Sequence, residues 1–447
     1  MFRKVLVANR GEIAVRIIRT CREMGIRTVA VFSEADRESL HVQLADEAYC
    51  IGPASPMGSY LNVINIVSIA TLTGCDAVHP GYGFLAENAD FAELCADCNV
   101  AFIGPDADAM NKMGAKDVAR KTMADAGIPV VPGSDGLVRD WNEAAEVAEN
   151  IGFPVLIKAA AGGGGKGIRL ARNKAELENG FRITRQEAAA SFGNPGVYLE
   201  KYVEDFRHVE VQIMADQYGN VVHLGERDCT IQRRLQKLIE EAPSSAVTEE
   251  KRREIGELAV RAAKAVRYVG AGTVEFIYDG AGRVYFMEMN TRIQVEHPVT
   301  ECITGIDLVK EQISVASGKT LSFTQSDISM NGWAMECRIN AEAVDRNFVP
   351  SPGKLNLYLP PGGPGIRVDS AAYPGCVISP HYDSLIAKLI AWGPTREEAI
   401  SRMKRALSEF VVEGVETTLP FHEKVLRHED FVSGNFNTKF LEKNGFL

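Results

Sequence analysis

A chain of 447 residues is longer than one hydrophobic core organises, so about two to four domains are expected. Its 46% hydrophobic and 24% charged residues are those of a globular protein, and a formal net charge of −10 argues against a nucleic-acid surface. No apolar run reaches transmembrane length and no signal peptide precedes Phe2-Arg3-Lys4, so no membrane role and a cytoplasmic location are expected, with the nine cysteines reduced.

Residues 5–8 read as a short buried strand. Ile13, Ile17, Ile18, Cys21 and Met24 mark one face of a helix closed by Gly25, and 28–32 read as the next strand. Such a β–α–β unit implies a parallel sheet covered by helices. The turn at Asn9-Arg10-Gly11 lacks the spaced glycines of a dinucleotide fingerprint, so NAD is not supported. After a helix (64–71) and a strand (76–79) comes His79-Pro80-Gly81-Tyr82-Gly83-Phe84, at the strand end where open α/β sheets bind ligands; a plain Pro/Gly turn explains it equally well. Cys95 and Cys98 have metal-like spacing but no second pair, and they fall in a helical pattern. The first domain is expected to close near residue 114.

A helix is expected over 115–130, with Lys116 in its first turn, where a lysine is electrostatically misplaced unless an anion is near. Residues 131–203 read as a small module: a helix (142–150), a strand (155–158), the run Gly162-Gly163-Gly164-Gly165-Lys166-Gly167, and a second strand from Ile168. Gly167 stands where a P-loop needs Ser or Thr, and a strand follows the run, so the loop fits a glycine-rich flap over phosphates. Each glycine costs about 0.5–1 kcal/mol relative to alanine, which a passive turn does not require four times in a row. Bare amides approaching an anion do require it, and a mobile lid with Lys158 on a phosphate oxygen is expected. The strand 197–199 leads into Glu200-Lys201-Tyr202-Val203, a strand end of the kind that meets an adenine edge.

Residues 208–213 alternate as a strand and pair with 220–224 through a turn at Tyr218-Gly219-Asn220. The charged stretch 226–237 is too mixed for an amphipathic face. Thr248 caps a helix running to about 268, and 273–278 and 283–287 form a hairpin that places Glu275 beside Glu288. Two neighbouring carboxylates repel, which a divalent cation between them resolves; a carboxylate paired with a lysine is the alternative. At the end of this hairpin stands FMEMNTRIQVEHP (286–298). Strand alternation would put Glu288, Asn290, Arg292, Gln294 and Glu296 on one face, as cation ligands beside an anion site and a base. His297-Pro298 disfavours a continued strand, so 293–298 is expected to be a loop.

Taken together, Lys116, Lys158 with the glycine loop, Glu200–Val203, Glu275 and EMNTRIQVEHPVTE resemble an ATP-grasp ligase. ANRGEIA (8–14), HPGYGFLAEN (79–88), KAAAGGGGKG (158–167), RHVEVQI (207–213), ERD (226–228) and YDSLIAKL (382–389) resemble biotin carboxylase over essentially the whole chain. The resemblance implies α/β and α+β domains. A Rossmann-like domain is expected at 1–114, an ATP-grasp domain at 115–330 with its lid at 131–203, and a C-terminal domain at 331–447. It implies ATP-dependent carboxylation of biotin on a biotin carboxyl carrier protein, using bicarbonate and passing through carboxyphosphate.

By the same resemblance, Glu275, Glu288 and Asn290 hold Mg²⁺ or Mn²⁺. Lys116, Lys158, Gly164, Gly165, His208 and Gln232 contact the nucleotide, and Glu200, Lys201, Tyr202 and Val203 hold the adenine. Lys237, Arg292, Gln294 and the backbone of Val295 hold bicarbonate, and Glu296, helped by Arg292, deprotonates it. Arg338 stabilises the biotin enolate, although on sequence alone a strand ion pair with Glu336 or Glu342 is as good a reading, and Tyr82 and Gly83 contact biotin. Leu235 departs from the family pattern, in which many members carry a ribose-contacting histidine.

No biotinyl module is seen, since Met403-Lys404 lies in a helix started by Thr395 and Glu398. A free-standing subunit of acetyl-CoA carboxylase is therefore expected, feeding malonyl-CoA and fatty acid synthesis, as a homodimer with carboxyltransferase partner subunits. A pyruvate or propionyl-CoA carboxylase subunit is the alternative. The readings from other classes are another ATP-grasp ligase and an ATP-binding regulatory subunit.

Overall fold

The computed structural model of the protein describes residues 1–160 and 167–447. Val5, Leu6 and Val7 are all buried, the mark of a strand covered on both faces. This strand, β1 (Lys4–Val7), is central in an all-parallel sheet with β2 (Arg27–Ser33), β3 (Glu47–Gly52), β4 (Ala77–His79) and β5 (Ala101–Phe102), in the order β3-β2-β1-β4-β5. The helix Gly11–Glu23 buries Ile13, Ile17, Ile18 and Cys21 in the core beside β1, as their spacing predicts. The edge strands β3 and β5 carry no clear sequence signal, because β3 is largely exposed or half-buried and β5 is two residues long. The 80–84 turn leaves β4 with Gly81 and Gly83 at φ +64 and +69. At Gly81 a side chain would crowd both Asn9 and Ile13.

The helix expected over 115–130 is shorter, Lys116–Asp125, with Lys116 opening it just after a separate helix, Ala107–Gly114. A small antiparallel sheet follows, formed by β6 (Val155–Ala159), β7 (Ile168–Ala171) and β8 (Val197–Lys201) in the order β7-β6-β8. The glycine run joins β6 to β7, and Gly164 and Gly165 lie outside the described residues.

The largest unit is an eight-stranded antiparallel sheet of β9 (Phe206–Ala215), β10 (Val221–Arg233), β11 (Gln236–Ala242), β12 (Gly270–Asp279), β13 (Val284–Asn290), β14 (Trp333–Asn340), β15 (Ile366–Ser370) and β16 (Leu385–Gly393). Its order is β13-β12-β9-β10-β11-β14-β16-β15, so the sheet passes without a break from the middle of the chain into its last third. Val209, Val211 and Ile213 join one core with Ile255, Leu258, Ala259 and Ala262 of the helix Glu249–Ala265, whose first turn Thr248 caps. The intervening residues His208, Glu210 and Gln212 take the opposite face.

The charged stretch 226–237 is not a surface segment. It forms the end of β10 and the start of β11, with Glu226, Arg227 and Asp228 buried. Charge there reflects internal pairing, which hydrophobic periodicity does not register. Arg234 and Leu235, at φ +49 and +65, make the tip of this hairpin. The strand reading of FMEMNTRIQVEHP ends at Asn290; residues 291–296 are a loop, and the helix His297–Thr304 begins at its close with Pro298 in the first turn. No helix among the described residues is long and apolar enough to cross a membrane.

Buried Thr418 ties the last third of the chain to β14. Its hydroxyl donates to the Arg338 carbonyl at 2.9 Å and accepts from the Asn340 amide at 3.0 Å. Thr418→Val keeps the shape, takes the hydroxyl acceptor from the buried Asn340 amide and leaves the Arg338 carbonyl to His422 alone, so a loss of about 1–3 kcal/mol is expected. Urea unfolding of the two proteins measures it, and an unchanged midpoint would contradict the bond's contribution.

Candidate active site

Antiparallel register sets the site. Glu275 on β12 lies opposite Glu210 on β9 and opposite Glu288 on β13, with a bulge between Glu275 and Phe276. Three acidic residues therefore stand in a row across adjacent strands. Lys237 reaches over from β11, and its ammonium donates to Glu210 at 2.5 Å, Glu275 at 2.8 Å and Glu296 at 2.7 Å. Burial works against its charge, but these carboxylates hold the Lys237 pKa well above its ordinary value. His208 Nε2 is 2.9 Å from Glu275, and Gln232 lies against its Nδ1 at 2.9 Å. Burial would lower the His208 pKa, yet Glu275 and Glu210 raise it to about 9, so the ring is an imidazolium at neutral pH.

Glu296 ends the 291–296 loop. Burial alone would raise its carboxyl, but Lys237 and then Arg338 hold it below the usual range. Arg338 Nη2 is 2.9 Å from Glu296, and its Nε is 2.6 Å from Glu240. Neither of the ion pairs weighed for it from the sequence, to Glu336 or to Glu342, is the one formed. Arg292 is turned another way. It donates to Glu87 at 2.9 Å and to Asn290 Oδ1 at 3.0 Å, so the cations on Glu296 are Lys237 and Arg338 rather than Arg292. Asn290 and Gln294 both donate to Glu275 at 2.8 Å.

Glu275 is paired with Lys237, the lysine alternative weighed from the sequence, and with His208, whereas Glu288 beside it has no ion pair among the described residues. Burial, and then the neighbouring Glu275, push the Glu288 carboxyl up. A divalent cation between two such groups relieves the conflict, and the Asn290 amide oxygen is a third hard donor nearby.

A cavity of about 610 Å³ opens over Glu275, Glu288 and Glu296. Lys116, Lys158, Glu200, His208, Gln232, Leu235, Lys237, Glu275, Glu288, Asn290, Arg292, Gln294, Val295, Glu296 and Arg338 all line it, joined by the apolar groups of Ile277 and Phe286. Lys158 and Glu200 are ion-paired to each other, across the paired strands β6 and β8. Lys201, Tyr202 and Val203 are not on this wall. Lys201 Nζ binds the carbonyls of Gly152 and Phe153, and the Tyr202 amide binds that of Pro154. Tyr82 and Gly83 line a second cavity of about 510 Å³, with Glu12, Phe84 and Tyr382. The two cavities share Gln236, Arg292, Val295, Arg338 and Asp383.

Sequence reading passed over Glu210, Arg227, Glu240 and Glu87 as individual residues. Arg227, wholly buried, donates to Glu210 and Gln212 at 2.6 Å and to Gln294 at 2.7 Å. Glu210 was findable, since it sits on the polar face of an otherwise apolar alternating strand. Glu87 and Glu240 carry no local signal, because their partners are distant in the chain.

The family model for the biotin carboxylase N-terminal domain matches residues 1–110. That for the carbamoyl-phosphate synthase L chain ATP-binding domain matches 115–324, and that for the biotin carboxylase C-terminal domain matches 336–443. Biotin carboxylase 1 of Bacillus subtilis is 69% identical over 443 residues, covering 99% of this chain and 98% of that protein. A pyruvate carboxylase subunit of Methanothermobacter thermautotrophicus is 55% identical, covering 99% and 90%. Among solved structures, the biotin carboxylase domain dimer of Hydrogenobacter thermophilus 2-oxoglutarate carboxylase, in complex with MgADP, ADP and bicarbonate, superposes with a TM-score of 0.95 at 52% identity, covering 100% of this chain and 98% of that one. With three domain models in register along one chain and relatives this close over their whole length, the protein belongs to the biotin carboxylase family of ATP-dependent ligases.

Proposed function

We propose that the protein carboxylates biotin on a biotin carboxyl carrier protein, using ATP and bicarbonate and passing through carboxyphosphate. The observation that carries this reading is the wall of Arg292, Val295 and Arg338 shared by the two cavities, with Glu296 held between Lys237 and Arg338. A two-stage reaction with an unstable intermediate needs a phosphate-side and an acceptor-side chamber that meet away from water.

In the first stage a bicarbonate oxygen attacks the γ-phosphorus, and ADP leaves. Lys116, Lys158 and the protonated His208 take the phosphates, together with the amides of Gly164 and Gly165. Glu200, the one residue of the 200–203 strand end on the cavity wall, meets the adenine edge, and Gln232 and Leu235 flank the nucleoside. Glu275, Glu288 and Asn290 would hold Mg²⁺ (or Mn²⁺), which supplies charge neutralisation of the phosphates when bound. Lys237, Arg292, Gln294 and the Val295 backbone orient bicarbonate, and Glu296, kept ionised by its cations, accepts its proton. In the second stage the C–O bond of carboxyphosphate breaks, inorganic phosphate leaves, and the carboxyl group passes to a ureido nitrogen of biotin lying against Tyr82 and Gly83. That nitrogen's proton goes to the departing phosphate, and Arg338 meets the charge developing on the ureido oxygen.

The ligands and dimer of the Hydrogenobacter structure support the bicarbonate, MgADP and homodimer parts of this reading. The working domain division is 1–114, 115–330 with the 131–203 lid, and 331–447. We place the chain in the cytoplasm, as the subunit that starts acetyl-CoA carboxylation for fatty acid synthesis alongside carboxyltransferase subunits. The pyruvate and 2-oxoglutarate carboxylase relatives favour, as a second reading, service to another transferase.

ATP cleavage should depend on both bicarbonate and free biotin; cleavage indifferent to both would end the assignment. Arg338→Ala should abolish biotin carboxylation and retain slow bicarbonate-dependent ATP cleavage, whereas loss of both in a folded variant would contradict the division of roles. Leu235 offers no hydrogen bond to a ribose. Leu235→His should therefore lower the ATP KM up to about five-fold, the equivalent of about 1 kcal/mol, and a large kcat change at constant KM would refute this. Burial raises the Glu240 pKa to about 7, against the pull of Arg338, from an ordinary value near 4.5. The folded state thus keeps this proton longer than the unfolded chain, and the group's stabilisation is lost as pH rises from 5 to 8. Glu240→Gln should lose less thermal stability over that interval than the wild type, and equal losses would show that Glu240 does not titrate there.

A further inference from the structure

Lys388 is fully buried, and the reaction outlined above gives it no part. Its strand, β16, pairs with β14 so that Lys388 lies directly opposite Arg338, and with β15 so that it lies opposite Asp369. The ammonium donates to the Val295 carbonyl at 3.0 Å and lies 3.1 Å from Glu12 Oε1, with Asp369 at 3.9 Å. Glu12, itself buried at the start of the helix Gly11–Glu23, accepts the Tyr82 hydroxyl on that same oxygen, and its other oxygen has no partner among the described residues. One ammonium therefore joins a helix of the N-terminal region, the loop that carries Glu296, and two strands of the C-terminal region.

The two groups it holds most closely are part of a cavity wall. Val295 belongs to both cavities, and Glu12 and Tyr82 belong to the second. A wholly buried lysine is expensive unless it is paired, and an apolar side chain could fill the same space. What methionine could not do is hold a peptide carbonyl and a tyrosine-bearing carboxylate in one fixed geometry.

We propose that Lys388 and Glu12 are a positioning pair that sets the Val295 peptide and the Tyr82 hydroxyl against Arg338, so that bicarbonate and biotin meet at the shared wall. The pair touches neither reactant. This rests on the reading of the two cavities as the bicarbonate and biotin sites. The nucleotide contacts stand on other elements, so the pair governs bicarbonate and biotin but not ATP.

The test compares the full-length wild type with Lys388→Met, Glu12→Gln and the double variant. ATP cleavage is measured with ATP, bicarbonate and free biotin titrated in turn, and folding is checked by the thermal shift on adding MgADP. The KM values for bicarbonate and biotin should rise at least ten-fold in Lys388→Met, while the ATP KM and the MgADP shift stay within two-fold of wild type. The double variant, which removes both buried charges, should be no worse than Lys388→Met, because the two residues act as one unit. It also carries the test if the single lysine variant does not fold. Unchanged constants in folded variants, or an ATP KM that rises in parallel, would overturn the proposal. A wild type indifferent to bicarbonate and biotin would instead overturn the functional reading beneath it.

Discussion

One ammonium among three buried carboxylates organises the site. Lys237 holds Glu210, Glu275 and Glu296 together, and without it these acids of β9, β12 and the 291–296 loop would repel one another. Removing one member of a buried ionic cluster strands the others, which is far costlier than never having built it. Arg227 secures Glu210 from behind, and the protonated His208 secures Glu275. The cluster is thus ionised throughout, and Glu296 is ready as a base because of its neighbours rather than in spite of its burial. Lys237 cannot satisfy three carboxylates and an anionic ligand at once. A ligand entering the cavity competes for it, which ties the state of Glu296 to what occupies the phosphate side.

The sheet makes this cluster possible. An antiparallel ladder brings residues far apart in sequence into direct opposition, and residues 210, 275 and 288 come together only through that ladder. One face of β9 carries valines and isoleucine into a helix-covered core, and the other carries His208 to the cavity, Glu210 to Lys237 and Gln212 to Arg227. The same strand therefore stabilises the fold and positions the chemistry, and a one-residue slip would exchange the two faces.

Much of this was legible in local pattern. The β–α–β opening, the Thr248-capped helix, the Glu275–Glu288 hairpin and the opening of a helix at Lys116 follow from spacing and capping alone. Even spacing misled in FMEMNTRIQVEHP. Glu288 and Asn290 share a strand, but Arg292, Gln294 and Glu296 come from a loop, and their convergence on the cavity owes nothing to period two. The stretch 226–237 failed as a pattern because buried ion pairs break the hydrophobic alternation that identifies a strand. Glu87 on Arg292 and Glu240 on Arg338 span 205 and 98 residues, and no local rule reaches that far.

Arg338 shows why the site needs scaffolding from outside its own cavity. Its guanidinium is shared by Glu240 and Glu296, and its carbonyl is gripped by the Thr418 hydroxyl and by His422 Nε2 at 2.7 Å. Two acids on one arginine lower the charge it can offer to a third, unless one of them gives up its own. Burial makes Glu240 the readier of the two to stay protonated: it outweighs the pull of Arg338 and Lys237 there, whereas Lys237 and Arg338 outweigh it at Glu296. With Glu240 neutral, the guanidinium faces one carboxylate and retains positive charge toward the second cavity. Backbone grips fix where that charge points. The division of labour across the shared wall is therefore an electrostatic one: Lys237 settles the phosphate side, and the protonation of Glu240 settles how much of Arg338 is left for the acceptor.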